Sequence, residues 1–176
     1  MTGTFQVLSP DEIGPELLRA ILKLGVESET WQAPDVEYFE TRLCKPSNIN
    51  VVYLVDGKPR GHILARPHNE AVQDYCEEDP LMKVSDAPMY YIEHLAVDRA
   101  VRGRSLSTVL ILKLAAEANR RGVYKFSNHC RAINGLSDIV ARKFNENLQV
   151  IRRIDSYCDC NNEPFDYLEI DFAAKA

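Results

Sequence analysis

Apolar and polar positions along this chain switch between a two-residue and a helical period, and the switches mark its elements. Thr4–Leu8 alternates and predicts an opening strand. Ser9-Pro10-Asp11-Glu12 sets a capping residue before early acids. Leu17, Leu18, Ile21, Leu22 and Leu24 then recur on one helical face, so a helix starts there. Val36–Leu43 predicts a second, shorter helix. Ile49–Val55 is rich in β-branched residues, and Asp56-Gly57-Lys58-Pro59 and residues 61–65 complete a hairpin. Asp-Gly supplies the positive φ that tight hairpin turns need. Residues 66–88 lack a period, carry three prolines and, within 70–79, five acids, and read as a long acidic loop.

Met89–Val97 predicts the next strand and residues 105–121 a strong helix, with Leu106, Val109, Leu110, Leu114 and Ala118 inward and Lys113 and Glu117 paired outward. Gly122 suits a left-handed cap. Residues 123–130 read as a strand, 134–145 as a helix, and 150–157 and 165–172 as strands joined by a polar turn at Asn161-Asn162-Glu163. The order β-α-α-β-β-β-α-β-α-β-β implies a mixed α/β fold of the α+β kind. It gives a mixed, mostly antiparallel sheet of about seven strands with about four helices. A single domain over residues 1–176 is expected, since 176 residues suit one core.

Composition narrows the function. Hydrophobic residues make up 45% and charged residues 27%, the balance of a globular chain. A net charge of −5 argues against nucleic acid as a partner. No run of about 18 apolar residues occurs, so no membrane span is expected. The start carries no basic region followed by an apolar run, and the five cysteines are an odd number. A cytoplasmic location with free thiols is the expectation.

Chemistry concentrates in residues 90–114, YYIEHLAVDRAVRGRSLSTVLILKL. A strand leads through an Asp turn and an Arg/Gly loop into a helix. The first turn of a helix carries unpaired N–H groups and partial positive charge. An Arg/Gly loop feeding it makes an anion cradle, to which Arg102 and Arg104 add fixed charge. Leu95-Ala96-Val97-Asp98 followed by Arg102-Gly103-Arg104-Ser105-Leu106-Ser107 resembles the GNAT superfamily of N-acyltransferases, whose strand ends in Leu-Ala-Val-Asp before an Arg/Gln-x-x-Gly-x-Gly/Ala loop. The strand order agrees over nearly the whole chain, and Asn134 opens the following helix where the family often has Asn.

The resemblance implies acetyl-CoA or another acyl-CoA as co-substrate and a small-molecule or peptidyl amine as acceptor. It implies that the amides of Leu95 and Val97, around Ala96, hold the thioester carbonyl and pantetheine arm. The amides of residues 102–107 would hold the pyrophosphate, and Asn134 would touch the arm. Ser105 and Ser107 stand where the family has small glycines, and Ala141 where many members carry an acidic tyrosine.

Amine attack on a thioester needs a proton acceptor and a stabilised oxyanion. Glu93 is the candidate base, since it shares a strand face with Leu95; its bland alternative is a salt bridge to Lys or Arg. Ser137 and Cys130 lie where a proton donor to the leaving thiolate is wanted. His62, His94 and His129 read as satisfied structural residues, although His129 beside Glu93 would make a dyad. Cys158-x-Cys160 lacks the further ligands of a zinc site, so no metal is expected. Residues 70–79 are either a solvated loop or an acidic rim for a cationic amine, with Tyr75 to pack on it.

Two other functions stay open. The stretch Glu-His-Leu-Ala-Val-Asp through Arg-Gly-Arg looks similar to N-acyl amino acid synthases and autoinducer synthases, which implies an acyl carrier protein docked on Arg99, Arg102 and Arg104. The absent glycines and tyrosine equally suit a non-catalytic acyl-CoA-binding or regulatory protein. The family's habit of pairing through sheet edges also admits a homodimer.

Overall fold

A computed structural model describes residues 3–28, 36–103, 105–157 and 162–173. Seven strands, β1 (Thr4–Leu8), β2 (Ile49–Val55), β3 (Lys58–Pro67), β4 (Met89–Val97), β5 (Lys125–Arg131), β6 (Leu148–Tyr157) and β7 (Glu163–Asp171), form one sheet in the order β1-β2-β3-β4-β5-β7-β6. Among the described pairings, β4 with β5 is parallel and the other four are antiparallel. The helices are α1 (Pro15–Glu27), α2 (Val36–Leu43), α3 (His68–Tyr75), α4 (Leu106–Arg120) and α5 (Leu136–Lys143). The chain divides into two compact units: Met1–Ala65 with Glu93–Glu117, and Arg66–Ile92 with Ala118–Ala176.

In the first unit, the capping chemistry at Ser9 builds a 3-10 turn rather than the main helix. Glu12 accepts hydrogen bonds from the Ser9 amide at 2.7 Å and the Ser9 hydroxyl at 2.8 Å, closing a capping box over Pro10–Glu12. Helix α1 then begins at Pro15, where the ring fits a first-turn position. Its Leu18, Ile21 and Leu22 pack with Phe39 and Leu43 of α2 on Leu8, Val52 and Leu64. Each such aliphatic side chain contributes about 1.5–3 kcal/mol on full burial, more than the propensity differences along these short helices.

The β2–β3 hairpin turns through Asp56 at φ 51 and Gly57 at φ 73, the two left-handed residues its sequence predicts. Strand β3 carries Gly61 on the face opposite Leu64, and α4 covers it. A Cβ at residue 61 would lie 3.1 Å from Leu110 Cδ1 and 3.2 Å from Leu106 Cδ2. Helix α4 buries Leu106, Leu110, Leu114 and Ala118, four of the five residues its periodicity predicts; Val109 is half-buried.

In the second unit the expected long loop contains helix α3. Only Ala71 and Val72 among its apolar residues are buried, too few to produce a visible period. They join Met82, Tyr91 and Tyr167 in a small core. The parallel ladder of β4 and β5 pairs Met89 with Lys125, Tyr90 with Phe126 and Tyr91 with Ser127, and ends there although both strands run on. Gly122 closes α4 at φ 76, as expected. The helix expected from residue 134 is displaced: Ala132–Asn134 form a 3-10 turn, Gly135 takes φ 64, and α5 starts at Leu136.

Candidate active site

The strand-loop-helix junction lies in the first unit. Strand β4 ends at Val97, and Asp98 caps a 3-10 turn by accepting the Ala100 amide at 2.8 Å. That bond, then the Arg60 guanidinium, holds the Asp98 carboxyl below the usual carboxylate range. Gly103 turns at φ 80, and a Cβ there would meet nothing within 4 Å. Ser105 adopts φ 56, a left-handed conformation that costs a residue with a Cβ about 1 kcal/mol or more. The first helical hydrogen bond of α4 runs from the Val109 amide to the Ser105 carbonyl at 3.0 Å. The amides of Leu106 and Ser107 thus stand in the first turn of the helix, ahead of that bond. Arg102 faces its own chain: Nε donates to the Val97 carbonyl at 3.3 Å and Nη2 to the Ser28 carbonyl at 2.9 Å. Its charge braces the loop. Arg104 lies outside the described residues.

On β4, Glu93, Leu95 and Val97 occupy one face and are half-buried, while Ala96 points to the other and is buried. The Glu93 side chain is only 3% exposed. The Tyr38 hydroxyl of α2 donates to its Oε1, and Arg42 Nε stands 3.8 Å from the same oxygen. The Arg42 guanidinium also lies over the Tyr38 ring, 3.3 Å from its centroid. The salt bridge weighed for Glu93 thus exists. Tyr38 and Arg42 escaped the sequence reading because nothing in a linear pattern ties residue 38 to residue 93.

On the opposite face, His94 and His62 of β3 meet with their Nδ1 atoms 3.0 Å apart, both fully buried. Burial lowers the His62 pKa to about 3, and burial with repulsion from His62 drives His94 well below its ordinary value. With both pKa values lowered, two neutral imidazoles share that contact, one ring donating and the other accepting.

The second unit holds another buried histidine with different company. His129 Nε2 donates to Asp79 Oδ2 at 2.9 Å, and Nδ1 lies 3.1 Å from the Tyr91 hydroxyl. Asp79 is 2% exposed; it also accepts from Arg152 and, at 3.2 Å, from the Leu81 amide. Burial opposes its charge, but the bonds from His129 and Arg152 outweigh this and bring its pKa down to about 2. Burial keeps His129 neutral against the pull of Asp79. A carboxylate only accepts, so Nε2 carries the proton and Nδ1 offers its lone pair to the Tyr91 O–H. The acidic rim is thereby corrected: Asp79 is internal, Asp74 is paired with Arg66 at 2.6 Å, and Tyr75 packs on Tyr91.

Ser137 is buried on α5, and Asn134 is exposed at the end of its 3-10 turn. Cys130 is buried and donates to the Asp166 carbonyl at 3.6 Å, and burial pushes its thiol up to about 12, far from a nucleophile. Cys158 and Cys160 lie outside the described residues. Among the described residues no group of three or more His, Cys, Asp or Glu is placed to hold a metal ion. Of the residues expected from sequence, Glu93, Leu95–Val97, Arg102, Gly103, Ser105, Leu106 and Ser107 fall in the first unit, and Asn134 and Ser137 in the second. Tyr91 and Arg152 were missed, and Asp79 was read only as part of the acidic loop. Tyr91 had a signal, since the two-residue period puts it on the face of Glu93 and Leu95. Asp79 and Arg152 had none.

A family model described as "Acetyltransferase (GNAT) family" matches residues 14–138. No curated protein matches. Among solved structures, Arabidopsis thaliana NAA60 in complex with acetyl-CoA superposes with a TM-score of 0.71 at 15% identity, covering 98% of this chain and 100% of that one. The ribosomal-protein-S18-alanine N-acetyltransferase from Escherichia coli gives 0.69 at 16% identity, covering 99% and 97%. Ard1 from Thermoplasma volcanium gives 0.70 at 14% identity, covering 98% and 100%.

Proposed function

Because this chain belongs to the acetyltransferase (GNAT) family, we propose that it moves an acetyl group from acetyl-CoA to a primary amine, on a peptide or a small molecule, by direct attack. The junction before α4 carries this reading. Left-handed turns at Gly103 and Ser105 lead into the first-turn amides of Leu106 and Ser107, which fits a diphosphate. The end of the β4–β5 ladder at Tyr91 supports a pantetheine arm along the backbone of Leu95–Val97. Asn134 would touch that arm. Acetyl-CoA, when bound, would supply the thioester; this chain's residues would hold it and manage protons. The chain would act as one domain, which is supported by β3 and β4 each running from one unit into the other.

In this scheme the acceptor ammonium must lose a proton before attack. Glu93, on the face of Leu95, is the assigned base, with Tyr38 orienting its carboxylate. Ser137 is assigned as the donor to the departing thiolate. The Tyr91–His129–Asp79 chain favours a second proton route: Tyr91 takes the nitrogen's proton, directly or through water, as its own passes to His129. Steady-state kinetics of Glu93→Gln and Tyr91→Phe across pH separates the routes. The true acceptor loses about 100-fold or more in kcat when removed. Neither variant slowing would sink both routes, and calorimetry finding no CoA binding would sink the cofactor site.

A further inference from the structure

The buried carboxylate of Asp79 has no place in substrate capture, and its partners suggest what it does instead. It lies in the turn after α3, 50 residues before His129 in the chain, yet its Oδ2 takes the Nε2 proton at 2.9 Å. The side chains of His129 and Asp79 are each 2% exposed, so no water competes for that bond. Arg152 of β6 donates to the same oxygen, and the Leu81 amide takes the other at 3.2 Å. Groups facing His129 come from every surrounding element. Tyr75 comes from α3, Tyr91 from β4, Tyr157 and Arg152 from β6, and Tyr167 from β7, with ring centroids 5.0–6.1 Å away for the four tyrosines. His68 adds a distant repulsion, and Arg66 lies over Tyr75 and Tyr91. Among the groups bonded to the imidazole, Asp79 alone is a carboxylate, and it fixes which nitrogen is basic.

We propose that Asp79 and Arg152 are positioning residues for acyl transfer: Asp79 locks His129 as the Nε2–H tautomer so that Nδ1 receives the Tyr91 proton, and Arg152 holds the Asp79 carboxylate in place. This rests on the second proton route above. As the N–C bond forms and the C–S bond breaks, the electron pair leaves with sulfur. The nitrogen's proton moves to Tyr91 Oη and the Tyr91 proton to Nδ1, leaving an imidazolium beside a carboxylate. The imidazolium later releases its proton to solvent, and the thiolate takes one up, so the count closes. Without Asp79 the cation would form in a pocket whose nearest charge is positive.

Nitrogen-15 NMR of histidine-labelled wild-type protein reads the tautomer without any substitution. Protonated Nε2 and bare Nδ1 are expected at neutral pH; a protonated Nδ1 overturns the proposal. Asp79→Asn should lower kcat by about 100-fold or more with KM for acetyl-CoA unchanged. Arg152→Gln, at a side chain 22% exposed, keeps the carboxylate and removes a repelling charge. It should move the His129 limb of the pH profile upward. Asp79→Asn at the wild-type rate, with His129→Gln slowed, would make Asp79 merely structural and overturn the inference alone. His129→Gln and Tyr91→Phe both at the wild-type rate would remove the second proton route and the inference with it.

Discussion

The two units bury histidines in opposite ways. In the first, His62 and His94 are buried against each other with their Nδ1 atoms 3.0 Å apart. In the second, His129 has Asp79, with Arg152 behind it. Burial alone keeps an imidazole neutral but leaves open which nitrogen holds the proton. A buried carboxylate settles that, and makes the cation attainable for an instant. The first arrangement is a packing solution that resists acid poorly; the second is suited to proton traffic.

Acid is the strongest way to break this comparison. The folded-state pKa of His62, about 3, is below its ordinary value of 6.5, so between those values the unfolded chain binds more protons. Stability is complete above about pH 6.5 and falls as pH drops, by about 3 kcal/mol at pH 4.5 from His62 alone. Asp79 behaves differently: with a folded pKa of about 2 against 3.8, its contribution survives until pH falls below about 4. Urea midpoints from pH 7 to 4.5 should show the loss, and hydrogen exchange should place it first on β3 residues 58–65. The double variant His62→Leu with His94→Leu should flatten the slope. An unchanged slope would mean the pair does not carry the acid response.

A smaller effect sharpens the contrast at Glu93, the first unit's buried carboxylate. Tyr38→Phe removes one donor and leaves Arg42, so about 1–2 kcal/mol of stability should go, measured by chemical denaturation. A neutral result would mean that Arg42 alone holds the carboxylate. Smallest is Ser105→Gly. Relief at φ 56 should exceed the entropy glycine adds to the unfolded chain, giving about 0.5 kcal/mol in favour of the variant. A lower melting temperature would show that the serine side chain earns its strained backbone.

Much of this was readable in order along the chain. Thr4–Leu8, Val36–Leu43, Ile49–Val55 and Met89–Val97 have the bounds their patterns predict. Asp56-Gly57 turns as its residues demand, because these signals are local and repeated. Helix α3 was invisible, since two buried apolar residues in eight make no stripe. The Gly14–Pro15 start of α1 was overridden by an equally good cap at Ser9 that built only a 3-10 turn. In the site, the loop from Arg102 to Ser107 could be found from residue types. The bonds of Glu93 to Tyr38 and of His129 to Asp79 could not, because they join residues 55 and 50 positions apart. Charge spacing also misplaced Asp79 on the surface, since composition records that an acid is present but not which way the chain folds over it.

Gly61 sets a clearance. With Leu110 and Leu106 3.1 and 3.2 Å from where a Cβ would stand, α4 sits as near the strand as a bare α-carbon allows. Residue 61 therefore acts as a shim beneath the helix whose leading amides begin at Leu106. Enlarging it would lift that end of the rod by a few tenths of an ångström and leave the sequence of the loop untouched. For anyone retuning cofactor grip, the thickness adjuster lies underneath, in the strand.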